Sequence, residues 1–220
     1  MWPRRRRGER GVVAVEAALV VPVLLILVFG MIEFAFVLRD WANVSANVRS
    51  GARIASTLAG GGPGTCETGA SAPPCTSTSS PALAQAAADA IQRASSAMPK
   101  AYVDYILVYK ANNAGLPGAL TAMPTSCDGV SNCVKFVWRS DLNAFRFSAG
   151  SWNSQNISAC FPGNATNPQE RVGVLLHASH PMMTGLFGAK VGLSDSAVMD
   201  FEPLPTVSCN GKGPANGGHL

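Results

Sequence analysis

Outside its first 11 residues the chain has no excess of charge of either sign. Five of its 17 basic residues are arginines within residues 1–11, and one of its 13 acidic residues, Glu9, lies there too. The rest of the chain therefore carries 12 basic and 12 acidic residues. A nucleic-acid-binding surface needs clustered basic residues. The formal net charge of +4 lies entirely in residues 1–11, next to the apolar run, and the rest of the chain has no net charge. We therefore expect no nucleic-acid partner.

The sequence also lacks the short motifs of common enzyme classes. It has no G-x-S-x-G, no P-loop, no G-x-G-x-x-G and no H-E-x-x-H. His177 and His180 fall in a predicted strand, where residues three apart point to opposite sides of a sheet and so make a poor metal pair. We therefore expect no enzymatic activity, no cofactor, no metal and no small-molecule substrate.

One long apolar run dominates the N-terminal region. It extends from Gly11 to Leu38 and reads GVVAVEAALVVPVLLILVFGMIEFAFVL. A bilayer core needs about 20 apolar residues in a helix, so this run is long enough to span a membrane. The arginines before it follow the positive-inside rule, which predicts a cytoplasmic N-terminus and an extracytoplasmic C-terminal part. An ordinary secretory signal peptide, with a shorter apolar region and a small-residue cleavage site, is the first alternative.

Two acidic residues interrupt this run, Glu16 and Glu33. An ionisable group within a membrane segment is costly and therefore indicates a function. Glu33 has two interpretations. It pairs with a basic residue of another subunit inside the membrane, or it lies at the outer interface, where the cost is small. Arg39, six residues later, favours the interface.

Cysteine is absent before residue 66 and then occurs six times. This distribution predicts disulfides in an oxidising, extracytoplasmic domain. No C-x-x-C pair is present, which argues against a zinc site. Six cysteines allow 15 pairings, and the sequence alone does not choose among them. The pairing we favour, since its first two members close short loops, is Cys66–Cys75, Cys127–Cys133 and Cys160–Cys209.

The remaining pattern predicts an α+β fold. Apolar residues continue at helical spacing to Leu58, so one helix is expected over residues 12–58, after a leader of residues 1–11. A loop over 59–80, an α+β domain over 81–203 and a flexible tail over 204–220 follow. The domain begins with a helix at Ser80-Pro81. Its five predicted strands, in one antiparallel sheet, are Tyr102–Lys110, Val134–Arg139, Ala144–Phe147, Val172–Ala178 and Val191–Phe201.

The start of the apolar run resembles a type IV prepilin. A basic leader ends in Gly11, and a glutamate, Glu16, is the fifth residue after it. The resemblance implies that a prepilin peptidase cleaves between Gly11 and Val12. It also implies that Glu16 neutralises the new amine of Val12 in a neighbouring subunit during assembly. A plain signal anchor, in which this glycine and glutamate occur by chance, is the second alternative.

More specifically, residues 8 to about 58 resemble the TadE family, minor pseudopilins of the Tad (tight adherence) pilus system. The family pattern has a Glu-Phe/Ala-Ala-Leu-x-x-Pro opening, a second glutamate near the end of the apolar run, and an Ala-Ala-Arg-x-Gly-Ala-Arg block. The matching segments here are Glu16–Pro22, Gly30–Phe34 and Ala46–Ala55. A weaker resemblance covers His180–Gly188 and Leu193–Pro203, where Asp200 stands in place of an expected arginine.

The resemblance implies a pilin-like, single-pass protein of the cytoplasmic membrane that takes part in Tad pilus assembly or secretion. Its expected partners are the membrane, prepilin peptidase and other pilins or pseudopilins of the system. The alternative function is a signal-anchored extracytoplasmic binding domain that has no part in pili.

Overall fold

The computed structural model describes residues 7–62, 64, 80–94, 98–159, 170–185 and 188–203, without the side chains of 7–11 and 155. The predicted tail and most of the predicted loop over 59–80 lie outside these residues.

The first element is a continuous helix, α1, Arg7–Thr57. It ends one residue before the predicted end, where Gly60, Gly61 and Gly62 follow and Gly62 adopts a φ of +69°. It begins five residues before the predicted start at Val12 and continues through Gly8 and Gly11, since residues 7–11 contain no proline to interrupt it.

A second helix and a five-stranded sheet complete the domain. The helix α2 is Ala82–Ala94. The strands are β1 Val103–Ala111, β2 Cys133–Arg139, β3 Ala144–Ser151, β4 Arg171–Pro181 and β5 Lys190–Asp200. Every neighbouring pair is antiparallel, in the order β3-β2-β1-β4-β5. Short 3₁₀ turns occur at Lys100–Tyr102 and Ser154–Asn156. The predicted α+β class, with a long helix first and an antiparallel sheet behind it, is confirmed.

Both helices cover one face of the sheet. The C-terminal part of α1 and the turn after it bury an apolar stripe at three- and four-residue spacing, whose members are at most 2% exposed: Val44, Val48, Ala52, Ala55 and Ala59. Gly51 lies beside this stripe, and a Cβ there would come within 2.9 Å of the Ile91 side chain of α2. Small residues therefore let α1 lie close to α2 while both contribute to one core.

The other face of the sheet is covered by the connection between β1 and β2. Cys127 in this connection is joined to Cys133 at the start of β2, with Cα atoms 5.2 Å apart. The two cysteines pack with Tyr109, whose hydroxyl donates to the Gly115 carbonyl oxygen at 3.0 Å. Burial raises the pKa of Tyr109 to about 12. The Tyr109 ring lies over Gly173 of β4, where an added Cβ would come within 2.2 Å of it.

This contact predicts that Gly173→Ala destabilises the domain. The Tyr109 side chain is fully buried, so its ring cannot move aside freely. Overpacking of this kind costs about 1–3 kcal/mol in the free energy of unfolding. Thermal unfolding of the full chain in detergent, followed by circular dichroism, measures the loss.

Gly192→Ala is the matched control, because a Cβ there would lie 3.5 Å from the His177 ring, an ordinary contact distance. We expect a change within about 0.5 kcal/mol for this variant. Equal stability of the two variants would contradict the packing of Tyr109 against Gly173.

Candidate membrane and assembly site

The predicted cleavage and assembly residues all lie in the first turns of α1. Gly11 and Val12 are helical in the uncleaved chain, and Glu16 follows Val12 by four residues. Positions four apart lie on the same side of a helix, about 6 Å from each other. The Glu16 side chain is exposed, and no residue whose side chain the structure describes pairs with it. The amine of a chain that begins at Val12 would therefore be within reach of Glu16 of the same chain.

The apolar part of α1 is not covered by the rest of the molecule. Every side chain from Val12 to Phe29 is exposed. The most apolar 18-residue window of the helix has a mean hydropathy of 2.9, and none of it is buried inside the molecule. Exposed apolar surface of this extent is unfavourable in water and favourable in lipid. This helix fits a single-pass membrane anchor.

Glu33 contacts the connection between β4 and β5. Its side chain is only 1% exposed, and its Oε1 accepts a hydrogen bond from the Thr184 backbone N–H at 3.1 Å. The Thr184 hydroxyl donates to the other carboxylate oxygen. Neither sequence-based interpretation of Glu33 included a partner within its own chain. The carboxylate is held by the domain at the point where the domain first meets the helix.

A second polar contact lies seven residues further along α1. Asp40 Oδ2 is 2.7 Å from His180 Nδ1 on β4, and the two side chains are 10% and 9% exposed. The His180 Nε2 is buried and has no hydrogen-bond partner within the described part of the chain. The interaction with Asp40 is therefore the polar contact that orients this imidazole.

These two contacts fix β4 alongside the helix in one register. Glu33 and Asp40 are about 10 Å apart along a helix, and the four residues from His180 to Thr184, which leave β4 after Pro181, can span at most about 14 Å. Similar lengths allow both pairs to form at once. Residues 12–32 precede the first contact and number 21, or about 32 Å of helix, which is long enough to cross the apolar core of a bilayer.

Sequence reasoning identified Glu33 but missed Asp40, His180 and Thr184. Two spacings in the sequence are consistent with these contacts. Seven residues separate the two acids, so both lie on one face of a helix, and four residues separate the histidine, near the end of β4, from the threonine in the connection after it. The sequence does not say which strand lies against which helix, so these spacings could not be matched without the fold.

The other predicted site residues lie away from this region. Cys66, Cys75, Cys160 and Cys209 lie outside the described residues, so only the predicted pair Cys127–Cys133 can be located. His177 faces away from His180. It is 2.9 Å from Asp104 and stacks on Tyr105, with ring centroids 5.0 Å apart.

The comparisons with known proteins address the N-terminal segment. The family model described as TadE-like protein matches residues 11–53. The N-terminal segment is TadE-like. No curated protein and no solved structure matches the chain at a significant level. The TadE-like segment contains the predicted cleavage position, both membrane glutamates and Asp40, and it confirms the resemblance seen in the sequence there. The weaker resemblance near the C-terminus lies outside the matched residues and remains a prediction.

The buried Asp40–His180 contact predicts a large effect of Asp40→Ala. This substitution leaves His180 buried without its partner, which should lower the free energy of unfolding by roughly 2–4 kcal/mol. Denaturant unfolding of the full chain in detergent measures the change.

Asp104→Ala provides the control, because Asp104 and His177 form the same type of pair with side chains 42% and 32% exposed. Exposed pairs contribute below about 1 kcal/mol. If the two variants lost the same stability, the Asp40–His180 contact would have no special part in holding the domain to α1.

Proposed function

We propose that this protein is a TadE-like minor pseudopilin that prepilin peptidase processes between Gly11 and Val12 and that takes part in Tad pilus assembly or secretion. The match of residues 11–53 to the TadE-like family supports a role related to Tad pili. The observation that carries the proposed processing and assembly role is the position of Glu16, which lies one helical turn from Val12. Its side chain is exposed and pairs with no residue whose side chain is described.

The proposed processing step is hydrolysis of one peptide bond. Water adds across the Gly11–Val12 bond, so that the leader leaves with a carboxylate on Gly11 and the mature chain begins with an amine on Val12. The leader carries five arginines and one glutamate, and its loss removes these charges from the end of the anchor. The mature chain then begins directly with an apolar helix.

Glu16 supplies the assembly contact in this proposal. A carboxylate among lipid chains is unfavourable unless a group of opposite charge lies beside it. The Val12 amine of a neighbouring subunit provides that group when two helices pack side by side. Pairing stabilises the assembled state relative to separate subunits and also sets the axial offset between the two helices, because both groups have fixed positions along their helices.

The orientation follows from the leader. Its arginines place the N-terminus in the cytoplasm, so that the α+β domain is extracytoplasmic and its cysteines form disulfides. The contacts of Glu33 and Asp40 with β4 and the turn after it support this arrangement, because they hold the domain against α1 where the helix leaves the membrane. The domain and its anchor then enter an assembly as one unit.

Glu16→Ala tests the assembly contact. We expect the variant to be processed and to remain in the membrane, since the substitution makes the anchor more apolar. Pilus assembly should be impaired because the Val12 amine of a neighbouring subunit has lost its counter-charge. The measurement is electron microscopy of surface pili in cells whose only copy of the protein is the variant, with immunoblots of membrane fractions.

Glu9→Ala is the matched control, since Glu9 lies in the leader and would be removed with it. Cells with this variant should have normal pili. Normal piliation with Glu16→Ala would contradict the assembly role of Glu16 and would favour the signal-anchored binding domain instead.

A further inference from the structure

We infer that residues 182–185, at the start of the turn between β4 and β5, are a second membrane-contacting element, which enters the outer leaflet beside α1 and places Met183 among the lipid chains. The inference rests on the membrane anchorage in the proposed function and adds to it a lipid-binding surface on the folded domain. Below, the turn means residues 182–185, which directly follow β4.

The chemistry of the turn is that of a membrane surface element. No charged residue occurs between Pro181 and Lys190. The Met183 side chain is 75% exposed, the highest exposure among the large hydrophobic side chains described. A long apolar side chain that is this exposed is unfavourable in water, whereas insertion into the acyl boundary of a bilayer buries it.

The depth of the turn follows from its contacts with α1. Thr184 meets Glu33, which belongs to the apolar run of the helix. From that level the helix presents three exposed apolar side chains on one face, at spacings of four and three residues. They are Phe34, Leu38 and Trp41, which are 63%, 48% and 51% exposed. Tryptophan is enriched at the level of lipid headgroups. The turn therefore lies below the level of Trp41, on the membrane side.

Two cations mark the same boundary on both elements. Arg39 is the first basic residue of α1 after the apolar run, and its side chain is exposed. Lys190 is exposed, is the first charged residue after the turn, and pairs with Pro181 in the sheet, next to His180. Because His180 contacts Asp40, both cations lie near one level along the helix axis. Lysine and arginine at this level suit the phosphates of lipid headgroups.

Burial of Glu33 has a physical explanation at this depth. Water is scarce below the headgroups, so a carboxylate there needs its hydrogen bonds from the protein. The Thr184 N–H and hydroxyl supply them. An open apolar groove of about 560 Å³ lies beside this contact, between the helix at Leu27 and Gly30 and the sheet side at Met182 and Val191. An acyl chain is the occupant that this depth provides, because the groove is continuous with the exposed apolar part of the helix.

A photo-cross-linking experiment tests the inference on the full chain in phosphatidylcholine vesicles. Benzoylphenylalanine replaces Met183, Leu19 or Leu142, one at a time, and mass spectrometry identifies the adducts formed on illumination. All three side chains are exposed, so the bulky probe should be tolerated. Leu19 lies in the anchor, and Leu142 lies in the turn between β2 and β3.

We expect lipid adducts at 183 in amounts comparable to those at 19, and only background at 142. Background at 183 with strong labelling at 19 would overturn the inference and leave the anchor intact. Cross-links from 183 to a second copy of the chain in place of lipid would overturn it in favour of a protein contact. Loss of labelling at 19 would refute membrane anchorage itself, and with it the inference.

Discussion

The structure depends on one helix, α1, whose first part is suited to lipid and whose last part packs on the folded domain. From Val12 to Phe29 the side chains of α1 are apolar almost all round and exposed, as lipid requires. From Val44 onward only one narrow stripe is buried, and it packs on the sheet and α2. Because the helix is continuous, the position of the domain relative to the membrane is set by where this change occurs. A break between the two halves would let the domain move independently of its anchor.

The junction between the two environments is made by polar residues. Glu33 and Asp40 both lie on the side of α1 that faces β4 and the turn after it, and both are nearly buried by contacts with that region. The hydrogen bonds of buried polar groups form only in one relative position of the two elements, whereas apolar packing allows one element to shift along the other. The two contacts therefore specify the register of the hairpin on the helix, while the apolar stripe from Val44 supplies most of the burial.

Much of this architecture could be predicted from local sequence patterns. The length of α1, the positions of all five strands and the TadE-like character of the N-terminal segment followed from apolar periodicity, β-branched runs and a motif contained within about 50 residues. These signals are local, and each is read within one element. The extension of α1 into the leader at Arg7 was not predicted. The motif suggested that the helix begins after Gly11, but the motif marks a predicted cleavage position, and the helix continues through it.

The contacts of Asp40 with His180 and of Glu33 with Thr184 could not be predicted in the same way. Their partners are 140 and 151 residues apart in the chain. Finding them requires knowing that β4 lies against α1, and this neighbour relation arises from the whole sheet order. The β1–β2 connection covers the face of the sheet opposite the helices, and this was not predicted for a similar reason. Tyr109 and Gly173 become neighbours only when β1 pairs with β4.

The N-terminal residue of the mature protein decides whether the apolar helix belongs to a processed pseudopilin, as we propose. Mass spectrometry of the protein from membrane fractions identifies that residue in cells with and without prepilin peptidase. The account predicts a chain that begins at Val12 when the peptidase is present and an intact leader when it is absent. An intact leader in both kinds of cell would contradict the account and would leave a signal-anchored domain as the better description.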